Sequence, residues 1–230
     1  MKKIILSLIA LTGLYGLPAS AQSVFDTSDA PNFFTLGARV GFNTSNRTIP
    51  TSNVTFYNNE SWGTGFNAGI VANLNFKDYL TIQPGFFYES RSGNYAYAAE
   101  YEDVFNPLDV RYVFGHWRAY YFTIPVMGIV NFNLADNVRV SAEFGPYLQF
   151  QLKESGKGVE YFEYLPLLGQ YNHFQAQQHK VDVGLKMGAG FHFYTHYYLG
   201  VHYLAGLCNA WKNPAGGKNK SWMFTIGYDF

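Results

Sequence analysis

Six histidines carry most of this chain's capacity for acid–base or metal chemistry: His116, His173, His179, His192, His196 and His202. A hydrolytic or acyl-transfer site would need one of them beside a nucleophile and an orienting carboxylate on one rim of the fold. Around His116, His173 and His179 the partner types exist, in Ser155, Glu154, Asp103 and Asp109. No nucleophile-elbow pattern or other catalytic signature accompanies them, so no catalytic residue is assigned. His192 and His196 have the i, i+4 spacing that converges on a metal when both sit on a helix. Across a strand and a turn the two need not converge, so no metal site and no cofactor are expected. Interfacial imidazoles in an aromatic girdle are the plainer reading.

Other short motifs are weaker still. Gly156-Lys157-Gly158 and Gly216-Gly217-Lys218 are too short for a phosphate loop and lack a following helix, so they read as loop-tip turns. The single Cys208 cannot form an internal disulfide and needs no role beyond that of a small hydrophobe. The Asn-x-Ser/Thr triplets at Asn43, Asn46, Asn53 and Asn219 occur in Asn-rich stretches and are assigned no role.

The charged residues point to the elements that must hold them. Arg39, Glu89, Arg139, Glu143, Asp182, Lys186 and Asp229 all fall on the small or polar face of segments that alternate with period two. Eight such segments can be read, near 34–46, 62–76, 79–92, 116–132, 137–152, 178–193, 196–210 and 221–230. In the last, Phe230, Tyr228, Ile226, Phe224 and Trp222 line one face. The segment near 116–132 is the least clean, because Met127 and Ile129 are apolar on the face opposite Tyr120, Phe122, Ile124 and Val126.

The connections alternate between tight turns, at Lys77-Asp78, Leu134 to Asp136 and Tyr194-Thr195, and long stretches near 47–61, 93–115, 153–177 and 211–220. That layout predicts an all-β fold: an eight-stranded, antiparallel, up-and-down transmembrane β-barrel with short periplasmic turns and long extracellular loops. A soluble barrel would put the apolar face inside, and each Arg or Lys turned instead to lipid would cost about 2–4 kcal/mol at mid-membrane. The seven charges therefore read as a lumen network in which both signs neutralise one another.

Composition agrees: aromatics make up 19% of the chain and charged residues only 14%. The zero net charge offers no argument for nucleic acid. Met1-Lys2-Lys3, the apolar run Ile4 to Leu17 and the small-x-small triplet Ala19-Ser20-Ala21 read as a cleaved signal peptide over 1–21, because the run is shorter than the roughly 20 residues a spanning helix needs. The expected order is a signal peptide at 1–21, a periplasmic segment at 22–33 and a barrel domain at 34–230. A last strand ending in lipid cannot leave its backbone unpaired, so it must close against the first.

Leu36-Gly37-Ala38-Arg39-Val40-Gly41-Phe42-Asn43, Gln83-Pro84-Gly85-Phe86-Phe87-Tyr88, Tyr121-Phe122-Thr123-Ile124-Pro125-Val126 and the terminal Gly227-Tyr228-Asp229-Phe230, in this order and spacing, resemble the PorT-like family of small outer-membrane β-barrel proteins, often labelled porin-family. The resemblance covers nearly the whole chain after the signal peptide. It implies the barrel fold, residence in the outer membrane of a Gram-negative bacterium, and insertion by the outer-membrane assembly machinery, with Tyr228 and Phe230 as the C-terminal signal. It implies no single activity.

The long connections hold what could be specific, with Tyr95, Tyr97, Tyr101, Tyr161, Phe162 and Tyr164 as candidate recognition residues. The same aromatics could instead pack on one another above the barrel or extend its strands. The leading expectation is a structural or cell-surface recognition role without catalysis, with outer-membrane lipid as surroundings and an extracellular ligand as partner. A narrow solute pore is the alternative, and a component of a secretion or assembly complex is another; an enzyme is the least favoured.

Overall fold

The computed structural model describes residues 26–48, 55–101, 109–135, 137–162, 169–171, 180–194, 196–209 and 217–230. Its strands are β1 (Phe34–Arg47), β2 (Thr55–Lys77), β3 (Leu80–Tyr101), β4 (Asp109–Ala135), β5 (Val138–Phe162), β6 (Gly169–Tyr171), β7 (Val181–Phe193), β8 (Tyr197–Asn209) and β9 (Lys218–Asp229). Every pairing is antiparallel. Eight strands close a ring in the order β1, β2, β3, β4, β5, β7, β8, β9 and back to β1, and the three-residue β6 adds to the upper part of β5. The expected closure of last strand on first is present, from Gly37 opposite Asp229 to Arg47 opposite Asn219. No helix occurs among the described residues.

Alternation sorts the side chains by wall. Leu36, Ile70, Phe144 and Ile226 point outward and are 49%, 63%, 55% and 57% exposed, while Arg39, Glu89, Glu143 and Lys186 are buried inside. Such an inside-out distribution would be unstable in water and is what a bilayer requires. The inside is close-packed rather than open. Met127 and Ile129, which made β4 ambiguous, face inward and are buried there. Val71, Phe87, Tyr147, Leu204 and Met223 form a buried apolar cluster across the lumen.

The strands are of two lengths. β1, β7, β8 and β9 have 12–14 residues. β2, β3, β4 and β5 have 22–27. Since the turn ends are level, the extra length of β2 to β5 rises on the loop side as a four-stranded sheet beyond the ring. The connections expected at 47–61, 93–115 and 153–177 are correspondingly shorter, because 55–61, 93–101, 109–115 and 153–162 continue as strand. Above the membrane both faces meet water, so period-two hydrophobicity stops while backbone pairing goes on.

One irregularity in β5 reverses its faces. Tyr121 pairs with Gln151 and Tyr120 with Lys153, leaving Leu152 as an extra residue. Below this bulge odd-numbered residues of β5 face the lumen; above it even-numbered ones do.

The segment before β1 turns back over the periplasmic mouth. Asp78 N donates to Ser28 O at 3.2 Å, Asn75 Nδ2 to Asn32 O at 3.0 Å, and Lys77 Nζ lies 2.6 Å from Asp29 Oδ1.

Candidate functional site

The lumen holds the polar chemistry of the described chain, arranged in tiers. At the periplasmic rim Arg139 Nη2 donates to Asp78 Oδ1 at 3.1 Å and its Nε to Asn133 Oδ1 at 3.0 Å. Above a cavity of about 170 Å³, lined by Asn73, Gln83, Arg139 and His192, Arg39 Nη2 meets Asp229 Oδ1 at 2.7 Å. Asn73 Nδ2 donates to the same Asp229 oxygen at 3.2 Å, and the Arg39 guanidinium lies 4.2 Å from the centre of the Tyr198 ring.

Next to this pair the Glu143 carboxylate is gripped from three directions. Ser141 Oγ donates at 2.8 Å, Tyr198 OH at 2.9 Å, and His202 Nε2 lies at 2.7 Å. Lys186 reaches over the Phe87 ring, 4.9 Å from its centre, at the apolar cluster. On the far side of that cluster Arg91 binds Glu89 through Nε at 2.9 Å and through Nη2, and donates to Gln149 Oε1 at 3.3 Å. Asp182 accepts from Asn219 Nδ2 at 3.0 Å.

At the extracellular end Arg47 forms a fork on Glu154, with Nη1 to Oε1 at 2.7 Å and Nη2 to Oε2 at 2.8 Å. Its Nε donates to Asn219 Oδ1 at 2.8 Å, and the guanidinium sits 4.0 Å over the Trp117 ring. Trp117, Ala119 and Tyr121 form a second apolar cluster there, against which Tyr95 packs.

All seven residues expected in the lumen network face inward, but they do not form one network. They fall into separate groups around Asp78, Asp229, Glu143, Glu89 and Asn219. Reading the sequence missed Arg47, Arg91, Tyr198, His202 and Glu154 as charge partners. Arg91 follows Glu89 by two positions and Arg47 follows Asn43 by four, so extending each alternation would have found both. Glu154 carries no such signal, since only the Leu152 bulge brings it inside.

Among the described residues, no nucleophile, base and carboxylate considered for catalysis converge. Ser155 and His116 lie on the outer face of β5 and β4, whereas Glu154 faces inward to Arg47. His116 Nδ1 lies 2.8 Å from Asn94 Oδ1, and burial together with the nearby Arg118 charge lowers its pKa. His173, His179 and Asp103 lie outside the described residues, as does the side chain of Asp109. His192 faces the lumen, with Nε2 3.9 Å from Asp229 Oδ2, while His196 stacks on Tyr228 at 5.4 Å.

Of the candidate recognition residues, Tyr95 is half-buried against Trp117, so it supports the extension rather than standing free. Tyr97 and Tyr101 lie on β3, and Tyr161 and Phe162 on β5, where loops had been expected; their side chains and the whole of Tyr164 lie outside the described residues. Tyr228 and Phe230 meet ring to ring at 5.4 Å on the turn-side rim, where Phe230 N donates to Leu36 O at 2.8 Å.

A closed antiparallel ring, apolar outside, filled by polar and charged side chains inside, with tight turns on one rim and long hairpins on the other, defines a transmembrane β-barrel of the outer membrane. The chain belongs to the outer membrane protein beta-barrel domain family, which matches residues 20–211. It is an outer-membrane protein embedded in lipid. Among curated proteins none matches the chain. Similar solved structures include Ail, the attachment invasion locus protein of Yersinia pestis, in complex with the heparin analogue sucrose octasulfate, with 15% identity, TM-score 0.41, and 86% of this chain and 100% of that one covered. Neisserial surface protein A has 12% identity and TM-score 0.40, with 86% and 96% covered. OprG of Pseudomonas aeruginosa has 10% identity and TM-score 0.43, with 90% and 99% covered. At these scores the likenesses carry no argument about what this chain does.

Proposed function

We propose that this protein is a non-catalytic outer-membrane anchor that presents the raised sheet of β2 to β5 for recognition at the cell surface. The observation that carries the reading is the division of labour between strand lengths: 12–14 residues suffice to close the ring, yet β2 to β5 have 22–27. A platform of paired strands holds side chains in fixed register at little entropic cost on binding, which flexible loops cannot do. Phe114 is exposed on it and Trp62 at its foot. Such half-exposed aromatics are what recognition surfaces use.

The filled lumen supports this reading over a solute pore, in which Arg39, Glu143, Arg139 and Lys186 would act as selectivity groups. Arg39 and Glu143 are each held by buried partners, and the apolar cluster lies across the path. The absence of any catalytic signature favours a role without catalysis. The PorT-like resemblance adds a secretion or assembly complex as one setting for a recognised partner, and Tyr228 with Phe230 as the signal read by the assembly machinery.

The test is photo-crosslinking from residues 62 and 114 in intact cells, with lipid-facing residue 126 as reference. Protein partners captured from the first two and not the third support the proposal. A steady single-channel conductance that disappears when Arg39 or Lys186 is neutralised would overturn it.

A further inference from the structure

Outward-facing apolar residues climb β4 through Val126, Ile124, Phe122 and Tyr120, and β5 through Phe144, Leu148, Phe150 and Leu152. Directly above this lipid band the outer face changes character. β4 presents Arg118 and His116, and β5 presents Lys153, Ser155 and Lys157, all exposed. Arg118 pairs with Ser155, His116 with Lys157 and Tyr120 with Lys153, so Arg118 has a lysine diagonally on each side. Diagonal cross-strand neighbours are about 7–8 Å apart, within one phosphorylated headgroup's span.

Two features set these three cations apart from scattered surface charge. None of them has a hydrogen bond or ion pair among the described residues. No described carboxylate shares their face, and the reason is local: the Leu152 bulge turns Lys153 and Lys157 outward and sends Glu154 inward to Arg47. Were the alternation of β5 unbroken through Leu152, the lysines would face the lumen and Glu154 would neutralise the outer wall. The patch is continuous with the lipid-facing surface, so whatever meets the apolar residues of β4 and β5 continues upward into the cations.

We propose that Arg118, Lys153 and Lys157 form a docking surface for a phosphate-bearing lipid of the outer leaflet, whose acyl chains lie on the apolar wall of β4 and β5 while its phosphates sit among the three cations. Arg118 offers a planar fork to phosphate oxygens and the lysines offer point charges on either side. The inference is independent of the recognition role of the raised sheet, since it concerns the lipid-proximal stretch of the wall.

The full-length protein is placed in nanodiscs of phosphatidylcholine doped with diphosphoryl lipid A, extracted in mild detergent, and its retained lipid A counted by native mass spectrometry. The wild type is expected to retain lipid A, and Arg118→Gln/Lys153→Gln/Lys157→Gln to lose about a hundredfold in affinity, roughly fivefold for each charge removed near a membrane surface. Lys153→Arg/Lys157→Arg and Lys218→Gln, on the far wall, keep wild-type retention. Single Gln variants, each still folded by gel mobility before and after heating, carry the test if the triple variant does not fold. Failure of the wild type to retain lipid A, equal retention by the triple variant or by every single variant, or equal competition by dephosphorylated lipid A overturns the proposal.

Discussion

Arg39 and Asp229 meet diagonally across the seam that closes the barrel, each lying opposite a glycine of the other strand. Arg39 faces Gly227 and Asp229 faces Gly37. A Cβ on Gly227 would occupy the place of Arg39 Cδ, and one on Gly37 the place of Asp229 Oδ1. The glycines leave room for the 2.7 Å bridge, and with Asn73 and Tyr198 around it the pair locks β1 to β9. Arg39→Met alone leaves a buried carboxylate without its cation and is expected to cost about 3–5 kcal/mol in unfolding free energy. Arg39→Met with Asp229→Leu is expected to recover most of that. Urea unfolding in lipid vesicles, read by tryptophan fluorescence, gives both values, and an equal loss in single and double variants would contradict the account.

Within the bilayer the fold was legible because the membrane imposes a rule on every residue. Val40, Phe42, Ile70 and Phe224 must face lipid and Arg39, Asp182 and Glu143 must not, so parity alone gave the strands, their number and their closure. Above the bilayer that constraint ends. Residues 93–101 and 153–162 pair as strands with no apolar rhythm to announce it. The site was legible in part: parity placed Arg39 and Asp229 inside, but a lumen partnership depends on distances around a ring, so Glu143 with His202 and Arg47 with Glu154 had no signature in one dimension.

The Leu152 bulge is the clearest such case, and it can be tested by removing it. Deleting Leu152 alone removes the bulge but leaves Gln151 inward, Lys153 outward and Glu154 inward, whereas deleting Leu152 and Lys153 together sets Glu154 next to Gln151 and turns it outward. In the double deletion Arg47 loses its fork, at a cost of about 3–5 kcal/mol for a buried charge deprived of its partner. In intact cells a cysteine at Glu154 is expected to resist a membrane-impermeant maleimide in the native chain and in the single deletion, and to react quickly in the double deletion. Equal labelling of all three would show that strand parity at this point does not set the facing.

The N-terminal segment should respond to acid. Hydrogen bonding and charge from Lys77 hold the Asp29 carboxyl below its ordinary value, and the Ser28 backbone amide, at 2.9 Å, does the same for Asp26. Because these folded-state values are depressed, their contribution is fully present above the ordinary carboxylate range. It is lost as pH falls through the lowered values. Spin labels at Ser28→Cys and Leu134→Cys are expected to give a narrow distance distribution at neutral pH that broadens in acid. Asp29→Asn should broaden it at neutral pH and weaken the acid response, and high salt should act in the same direction because the pair is exposed.

Closure of the lumen rests on the cluster of Val71, Phe87, Tyr147, Leu204 and Met223, with Lys186 reaching over Phe87. Leu204→Ala or Met223→Ala removes buried contacts and is expected to cost about 2–5 kcal/mol each. Their effect on conduction separates a plug from a gate. If the cluster is a permanent plug, the wild type is silent in planar bilayers, and Phe87→Ala/Met223→Ala admits a small ion current through the water that enters beside Lys186. Because Lys186 faces the opened path, that current should favour anions, and Lys186→Gln in the double-alanine background should abolish the preference. A wild-type current equal to that of the double variant would mean that these side chains swing aside unaided, and the lumen would then be a conduit rather than a core.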